Sequence, residues 1–343
     1  MSVSFRPSLR RAALVVLTGA CLSAHAAATS LDFGVTYVSP LGSPQAGLLV
    51  GRVGVADVPL FGGQFGVDAS NLALDASYAR TLAIPPAGAV TSRTDLAVTW
   101  QGGLRLLSRV TGGLGPVALN VGGAYFTAPV TAFDPLAAWT LAPADTRPSG
   151  WNVDLTVRYR VSRTLIAVGG GEFGAQASGF LGVEGRQDLT QVVAPADPEV
   201  PDSEPETETV GTVTWRLGAR AGQGVLGATA GVSYSTPAGF GVNVDALLGP
   251  DSLGLTASLG AADLFGEGST LNLYGAYEPW RWAAVPVRFG LESALPAGPG
   301  TLTLDLRGGL DAQGAAGYGA RVGYRLPLDA LLNPAGEEGD GTP

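Results

Sequence analysis

The sequence predicts an all-β fold: a closed antiparallel up-and-down transmembrane β-barrel of about sixteen strands, in a range of about 14 to 18. Three observations point there. Apolar and polar residues alternate with a period of two along many short segments. Gly- and Pro-bearing turns separate those segments, and Gly makes up 51 of 343 residues without a collagen-like period. Mean hydropathy is high at +0.25 and charged residues are only 14% of the chain, yet no apolar run long enough for a transmembrane helix follows the N-terminal segment. High but dispersed apolar content suits strands that expose one greasy face.

The chain opens with a segment read as an export signal. Arg6, Arg10 and Arg11 form a basic region, residues 12–24 are apolar, and Ala24-His25-Ala26 has the small-x-small form of a cleavage site. The expected division is therefore a signal peptide at 1–26, a barrel at 27–328, and a flexible acidic tail at 329–343.

Strand patterning then runs almost without pause. SLDFGVTYV (30–38) sets Leu31, Phe33, Val35 and Tyr37 against Asp32, Gly34 and Thr36, and LLVGRVGVAD (48–57) follows. Residues 61–83 read as one long strand whose apolar phase is odd at Phe65 and Val67 and even at Leu72, Leu74 and Tyr78. A switch of phase requires an inserted residue or a turn. Residues 93–110 carry the same ambiguity at Gly102-Gly103. Next come VALNVGGAYFTA (117–128), a connection at 129–150 with four prolines, WNVDLTVRYRV (151–161), TLIAVGGGEFG (164–174) and SGFLGVEGRQDLTQV (178–192). The stretch 192–208 is acidic, Pro-rich and unpatterned, and reads as a solvated loop. Eight further strands follow: TVTWRLGARA, VLGATAGVSYST, FGVNVDALLG, SLGLTASLGAADL, STLNLYGAYEPW, AVPVRFGLESAL, GTLTLDLRGGLDA and GYGARVGYRLPL. Short turns join them into a meander of hairpins.

One face of each strand is apolar and the other carries charge. In WNVDLTVRYR, Trp151, Val153, Leu155, Val157 and Tyr159 oppose Asp154, Arg158 and Arg160. The same split puts Arg216, Arg220, Asp245, Arg288, Glu292, Asp305, Arg307, Arg321 and Arg325 on polar faces. Alternation alone fits a soluble sandwich equally well. A meander of this length, with no edge to spare, favours closure. Aromatics towards strand ends, namely Trp100, Trp151, Tyr234, Trp280, Trp282 and Tyr324, suit interfacial girdles. The apolar face is then lipid-facing, and the twelve named charged residues, Asp154 to Arg325, line a lumen.

Composition also excludes chemistry. All 20 basic residues are Arg, and the single Cys and single His, Cys21 and His25, fall in the leader. Beyond residue 26 the chain has no Cys, His or Lys, hence no disulfides, no Ser–His pair, no Schiff-base lysine and no His- or Cys-rich zinc site. The expectation is no enzyme and no cofactor. The same segment carries seventeen arginines against 29 acids, a formal charge of −12 that is unlike the basic footprint of a nucleic-acid binder.

In these patterns the chain resembles bacterial outer-membrane β-barrel proteins as a broad class, porin-like in the loose sense. Its last strand ends RLPL, where such barrels commonly finish on an aromatic residue. The resemblance implies an exported protein in the outer membrane. Its expected role is a channel or binding site for small polar solutes or ions, with lipid and possible homo-oligomers as partners. The alternative is a non-conducting structural or adhesive envelope protein, either a plugged barrel or a secreted all-β surface protein.

Overall fold

The computed structural model describes residues 29–42, 46–85, 88–143, 145–194, 206–250 and 252–329. The expected signal at 1–26, the middle of the acidic stretch and nearly all of the tail lie outside them. The strands are β1 (Ser30–Ser39), β2 (Leu48–Leu60), β3 (Gly63–Ser70), β4 (Ala73–Ile84), β5 (Gly88–Thr99), β6 (Leu104–Leu114), β7 (Val117–Phe126), β8 (Gly150–Arg160) and β9 (Leu165–Phe173). Then come β10 (Ser178–Ala194), β11 (Glu206–Gly222), β12 (Val225–Ser235), β13 (Gly241–Leu248), β14 (Gly254–Ala262), β15 (Thr270–Tyr277), β16 (Val287–Ala297), β17 (Gly300–Leu310) and β18 (Ala316–Pro327). Among the described residues no helix is long and apolar enough to cross a membrane.

Every strand pairs antiparallel with its chain neighbours, and β1 pairs with β18 from Ser30↔Pro327 to Ser39↔Tyr318. The sheet closes on itself, so no strand edge is left open along the wall. Eighteen strands is the upper end of the expected range. Both added strands come from the phase switches. Ser70 and Ala73 flank a turn at Asn71-Leu72, where the Ser70 hydroxyl accepts from the backbone N–H of Leu72 and Ala73 at 3.1 and 3.0 Å. At 100–103 the chain turns with Gly102 at φ +87°, and Thr99 N–H donates to the Gly103 carbonyl at 2.8 Å. Each ambiguous segment is thus a hairpin.

The strands sort their side chains as the pattern predicts. On β1, Phe33, Val35 and Tyr37 are exposed while Thr36 is buried, and the same holds for Trp151, Val153 and Tyr159 on β8 and Leu181 and Val183 on β10. Exposed large apolar side chains encircle the barrel. A continuous apolar band of that extent is not tolerated in water and is what hydrocarbon requires. Tyr37, Trp100, Tyr125, Trp151, Tyr277 and Tyr318 are exposed at strand ends on one rim, where an aromatic girdle belongs. Trp280 and Trp282 do not join it: they sit in the β15–β16 loop and face arginines instead, because that loop turns inward.

The two long connections lie at opposite ends of the barrel, since the three strands β8, β9 and β10 separate them. β1 begins and β18 ends at the rim of the β10–β11 connection, with Leu328 N–H donating to the Thr29 carbonyl at 2.8 Å. The expectation of an unpatterned loop over 192–208 needs correction at its ends, because β10 continues to Ala194 and β11 begins at Glu206. Polar cross-strand pairs such as Thr190↔Thr209 and Gln191↔Glu208 extend the ladder through two bulges. These pairs bury nothing apolar, so alternation gives no sign of them. The β9 pairing stops at Gly185 and the β12 pairing at Thr212, so the outer part of β10 and β11 stands beyond the rim as a two-stranded ribbon.

Placing an arginine mid-wall on the outer face tests the lipid assignment. Val35→Arg is expected to cost about 2–4 kcal/mol of stability in a bilayer. Refolding into vesicles under denaturant, followed by heat-modifiable gel mobility, reads this loss. An unchanged transition would refute a lipid-facing Val35.

Candidate functional site

The lumen is organised by the β7–β8 connection, residues 127–149, which turns inward. Its prolines prevent extended pairing, and two short 3-10 turns form instead, Val130–Ala132 and Pro135–Trp139. Asp134 caps the second, its carboxylate accepting from Leu136 N–H at 3.0 Å. The loop's apolar side chains have no outer face to occupy. They bury against the wall and the β15–β16 loop, Phe133 with Ala73 and Ala97, and Leu136 and Trp139 with Val38 and Val285.

The wall is shaped to receive them. Gly309, Gly317 and Gly319 on β17 and β18 lie under the loop. A Cβ at Gly319 would sit 2.5 Å from Leu136 Cδ2, and one at Gly309 would sit 2.8 Å from Trp139 Cδ1. Polar anchors complete the seat. Tyr274 donates its hydroxyl to the Trp139 carbonyl at 2.9 Å. Arg288, 0% exposed, donates to the carbonyls of Thr140, Val285 and Leu141 at 3.1, 3.0 and 3.3 Å and pairs with Glu278. Arg307 joins Asp305 at 2.7 Å and Glu292 at 3.0 Å and reaches the Leu136 carbonyl. Arg321 holds Asp134 at 2.5 Å and donates to Thr36 Oγ1 at 2.9 Å. Arg307 lies fourth from the loop-side end of β17, which puts the loop roughly 10 Å down the barrel at about 3.3 Å per residue. The strands it grips, β15 to β18, stand across the barrel from β7 and β8, so the loop spans the lumen.

The charged residues named from the sequence fall into separate groups. Arg288, Glu292, Asp305, Arg307 and Arg321 surround the inward loop. Arg158 pairs with Glu184 at 3.1 Å, Arg216 with Asp245 at 2.9 Å, and Arg220 with Glu172 at 3.3 Å along the β8–β13 side. Asp154 pairs with Arg109 at 3.2 Å. Arg325 pairs with Asp32 at 2.8 Å towards the rim where β1 begins and β18 ends. Arg160 is exposed near the same rim and has no ion pair among the described residues.

Several residues that matter to this geometry escaped the sequence. Glu172 looks like part of a Gly-rich strand, yet it binds Arg281 at 2.9 Å as well as Arg220. Arg281 lies in PWRW, which reads as a turn; its loop (278–286) instead folds in. There Arg220 stacks on Trp280 at 5.6 Å, and Arg281 on Trp282 at 5.3 Å. Arg105 and Arg109 are on the polar phase of β6, a signal that Leu107 on the same face obscures. Within the inward loop Arg147 holds Asp145 at 2.5 Å. Burial alone would raise the Asp145 carboxyl, but the hydrogen bonds and charge of Arg147 keep it below the ordinary carboxylate value.

Space remains on both sides of the loop. A cavity of about 820 Å³ lies between its returning limb, the β6–β11 wall and the 278–286 loop. A neighbouring cavity of about 350 Å³ shares Thr156, Phe180, Arg220, Trp280 and Arg281 with it and extends to Arg158, Arg216 and Asp245. Across the loop, a cavity of about 240 Å³ is lined by Arg52, Arg93 and Arg321 against Asp68, Asp75, Asp95 and Asp134.

No protein-family model and no curated protein matches this chain. Among solved structures it is similar to substituted forms of the Rhodopseudomonas blastica porin. One has a TM-score of 0.44 at 12% identity and another 0.43 at 11%, each over 87% of this chain and 98% of that one. A chain described as "Asymmetric conductivity of engineered proteins" gives 0.43 at 12% identity over the same shares. The likeness is one of barrel architecture only.

Removing the Arg288 charge tests the seat. Arg288→Gln leaves Glu278 and the loop carbonyls without their cation, and loss of one partner of a buried pair costs about 3–5 kcal/mol. Hydrogen exchange of amides 130–141 is expected to accelerate while wall amides stay protected. Equal exchange in both proteins would show that Arg288 does not hold the loop.

Proposed function

We propose that this chain is an exported outer-membrane channel for small polar solutes or ions, its lumen lined by paired arginines and carboxylates. One observation carries the reading: two adjoining cavities run past the inward loop along a charged wall, from the 278–286 loop down to Arg158 and Arg216. A barrel of this strand number is too wide for side chains to fill, so space beside the loop is water-accessible. In this reading Asp154, Arg158, Arg216, Arg220 and Asp245 line the path. Arg288, Glu292, Asp305, Arg307 and Arg321 brace the loop, and Arg160 and Arg325 flank the mouth at the rim where β1 begins and β18 ends.

The loop separates sides of unlike charge. The larger cavity holds five arginines against three acids, and the small one three against four. Such a division sets a field across the lumen and makes the larger side favourable to anions. The partners implied are a lipid bilayer and small solutes, with further copies of the chain as possible neighbours.

A plugged, non-conducting barrel is the second reading. It is favoured by the burial of Leu136, Trp139 and Arg288, which seals the β15–β18 side. Planar-bilayer recordings separate the two. The channel reading expects discrete openings with an anion-leaning reversal potential. Arg158→Gln with Arg216→Gln is expected to shift that potential towards cations while heat-modifiable folding is retained. Absence of conductance in a folded, inserted barrel would favour the plug. An unmoved potential would remove these arginines from the selectivity path.

A further inference from the structure

We propose that the cavity of about 820 Å³ binds a small organic carboxylate, with Arg105 as its principal counter-charge; this rests on the channel reading and names the class of solute retained there. Arg105 is 5% exposed, and among the described residues it has neither a hydrogen bond nor an ion pair. Its Nη1 is buried without an acceptor. The cross-strand neighbour Phe126 is fully buried, with the Arg105 guanidinium 5.7 Å from its ring centroid. That contact gives the cation a face to lie against but no oxygen.

Buried arginines are ordinarily paired, because an uncompensated charge inside a protein is costly. The other four arginines of this cavity are paired, with Asp154, Asp145 and Glu172 as partners. Five cations against three anions leave the cavity two negative charges short of neutrality, and Arg105 is where the local shortage falls.

Guanidinium N–H groups only donate. The group that satisfies Arg105 must therefore be an acceptor, and an anion satisfies the charge as well. A planar carboxylate matches the fork of a guanidinium. The rest of the lining argues for an organic body rather than a bare ion: Phe180 and the rings of Trp280 and Trp282 offer apolar faces, and the volume lies within the usual span of small-molecule sites.

Titration calorimetry on the full barrel in detergent, at constant ionic strength, tests this with benzoate, acetate, inorganic phosphate and chloride. Benzoate is expected to saturate a single site, bind more tightly than acetate, and bind more tightly than phosphate or chloride. Arg105→Gln should weaken benzoate roughly tenfold to a hundredfold, as loss of a charged hydrogen bond does. Arg105→Lys, which keeps the charge and loses the fork, should fall between. Arg186→Gln, on the ribbon beyond the rim, should bind as the parent does. If Arg105→Gln fails to fold, Arg105→Lys and Phe180→Ala supply the test, the first through loss of the fork and the second through loss of an apolar face, which should bring benzoate towards acetate. Benzoate affinity equal to the parent's in Arg105→Gln, or in both Arg105→Lys and Phe180→Ala, overturns the proposal. So does tighter binding of phosphate than benzoate, or the absence of saturable binding. A barrel that conducts potassium chloride but binds no benzoate loses this inference and keeps the channel. One that binds benzoate but never conducts keeps the site and loses the channel.

Discussion

Every backbone N–H and C=O that enters hydrocarbon must find its partner within the protein, because lipid tails offer none. In this chain the β1–β18 ladder meets that demand by returning the sheet to its starting strand. Once the ring is closed, the pleat assigns alternate residues to lipid and to the interior. Val35 and Thr36, adjacent in sequence, therefore meet opposite surroundings. Apolar side chains can stay outside because nothing else is needed there, and charge is confined to the inner face.

Confinement changes what the charges do. Seventeen arginines occur beyond residue 26, and most of those described have a carboxylate within reach across a strand or across the lumen. Short-range pairs such as Arg307–Asp305 stiffen one strand. Longer ones such as Arg321–Asp134 tie the inward loop to the far wall. The interior is thereby divided, with one side filled by Leu136, Trp139 and Arg288 and the other holding the larger, arginine-rich cavity. The same residue type serves as clamp at Arg288, as stacking partner at Arg281 and, at Arg105, as a buried cation with no ion pair among the described residues. The difference lies in what the neighbouring loops bring to each.

Much of the wall was legible because a period of two is written wherever one side is greasy. WNVDLTVRYR needs no structure to be read as a half-polar strand. Strand number was underread at Asn71-Leu72, where two residues without Gly or Pro make a turn that composition does not mark, and at Gly102-Gly103, where the glycines were visible but their role was not. The interior was much less legible. Tyr274 meets Trp139, and Arg321 meets Asp134, across sequence gaps of 135 and 187 residues. No local pattern encodes such a meeting. The glycines that seat the loop look like ordinary weak spots in β17 and β18, and the tryptophans of PWRW look interfacial until the loop carrying them is seen to turn inward. Glu172 was hidden among glycines that themselves carry no charge signal.

A hoop of eighteen strands is wide for its wall thickness, and such a hoop ovalises easily when squeezed from the side. The loop from β7 and β8, fastened to β15 through β18, joins opposite arcs as a tie-rod joins the flanks of an arch. Lateral pressure from the surrounding lipid is then carried by Trp139, Arg288 and Arg321 as well as by the wall. The element that crosses the lumen thus also keeps the barrel's cross-section round.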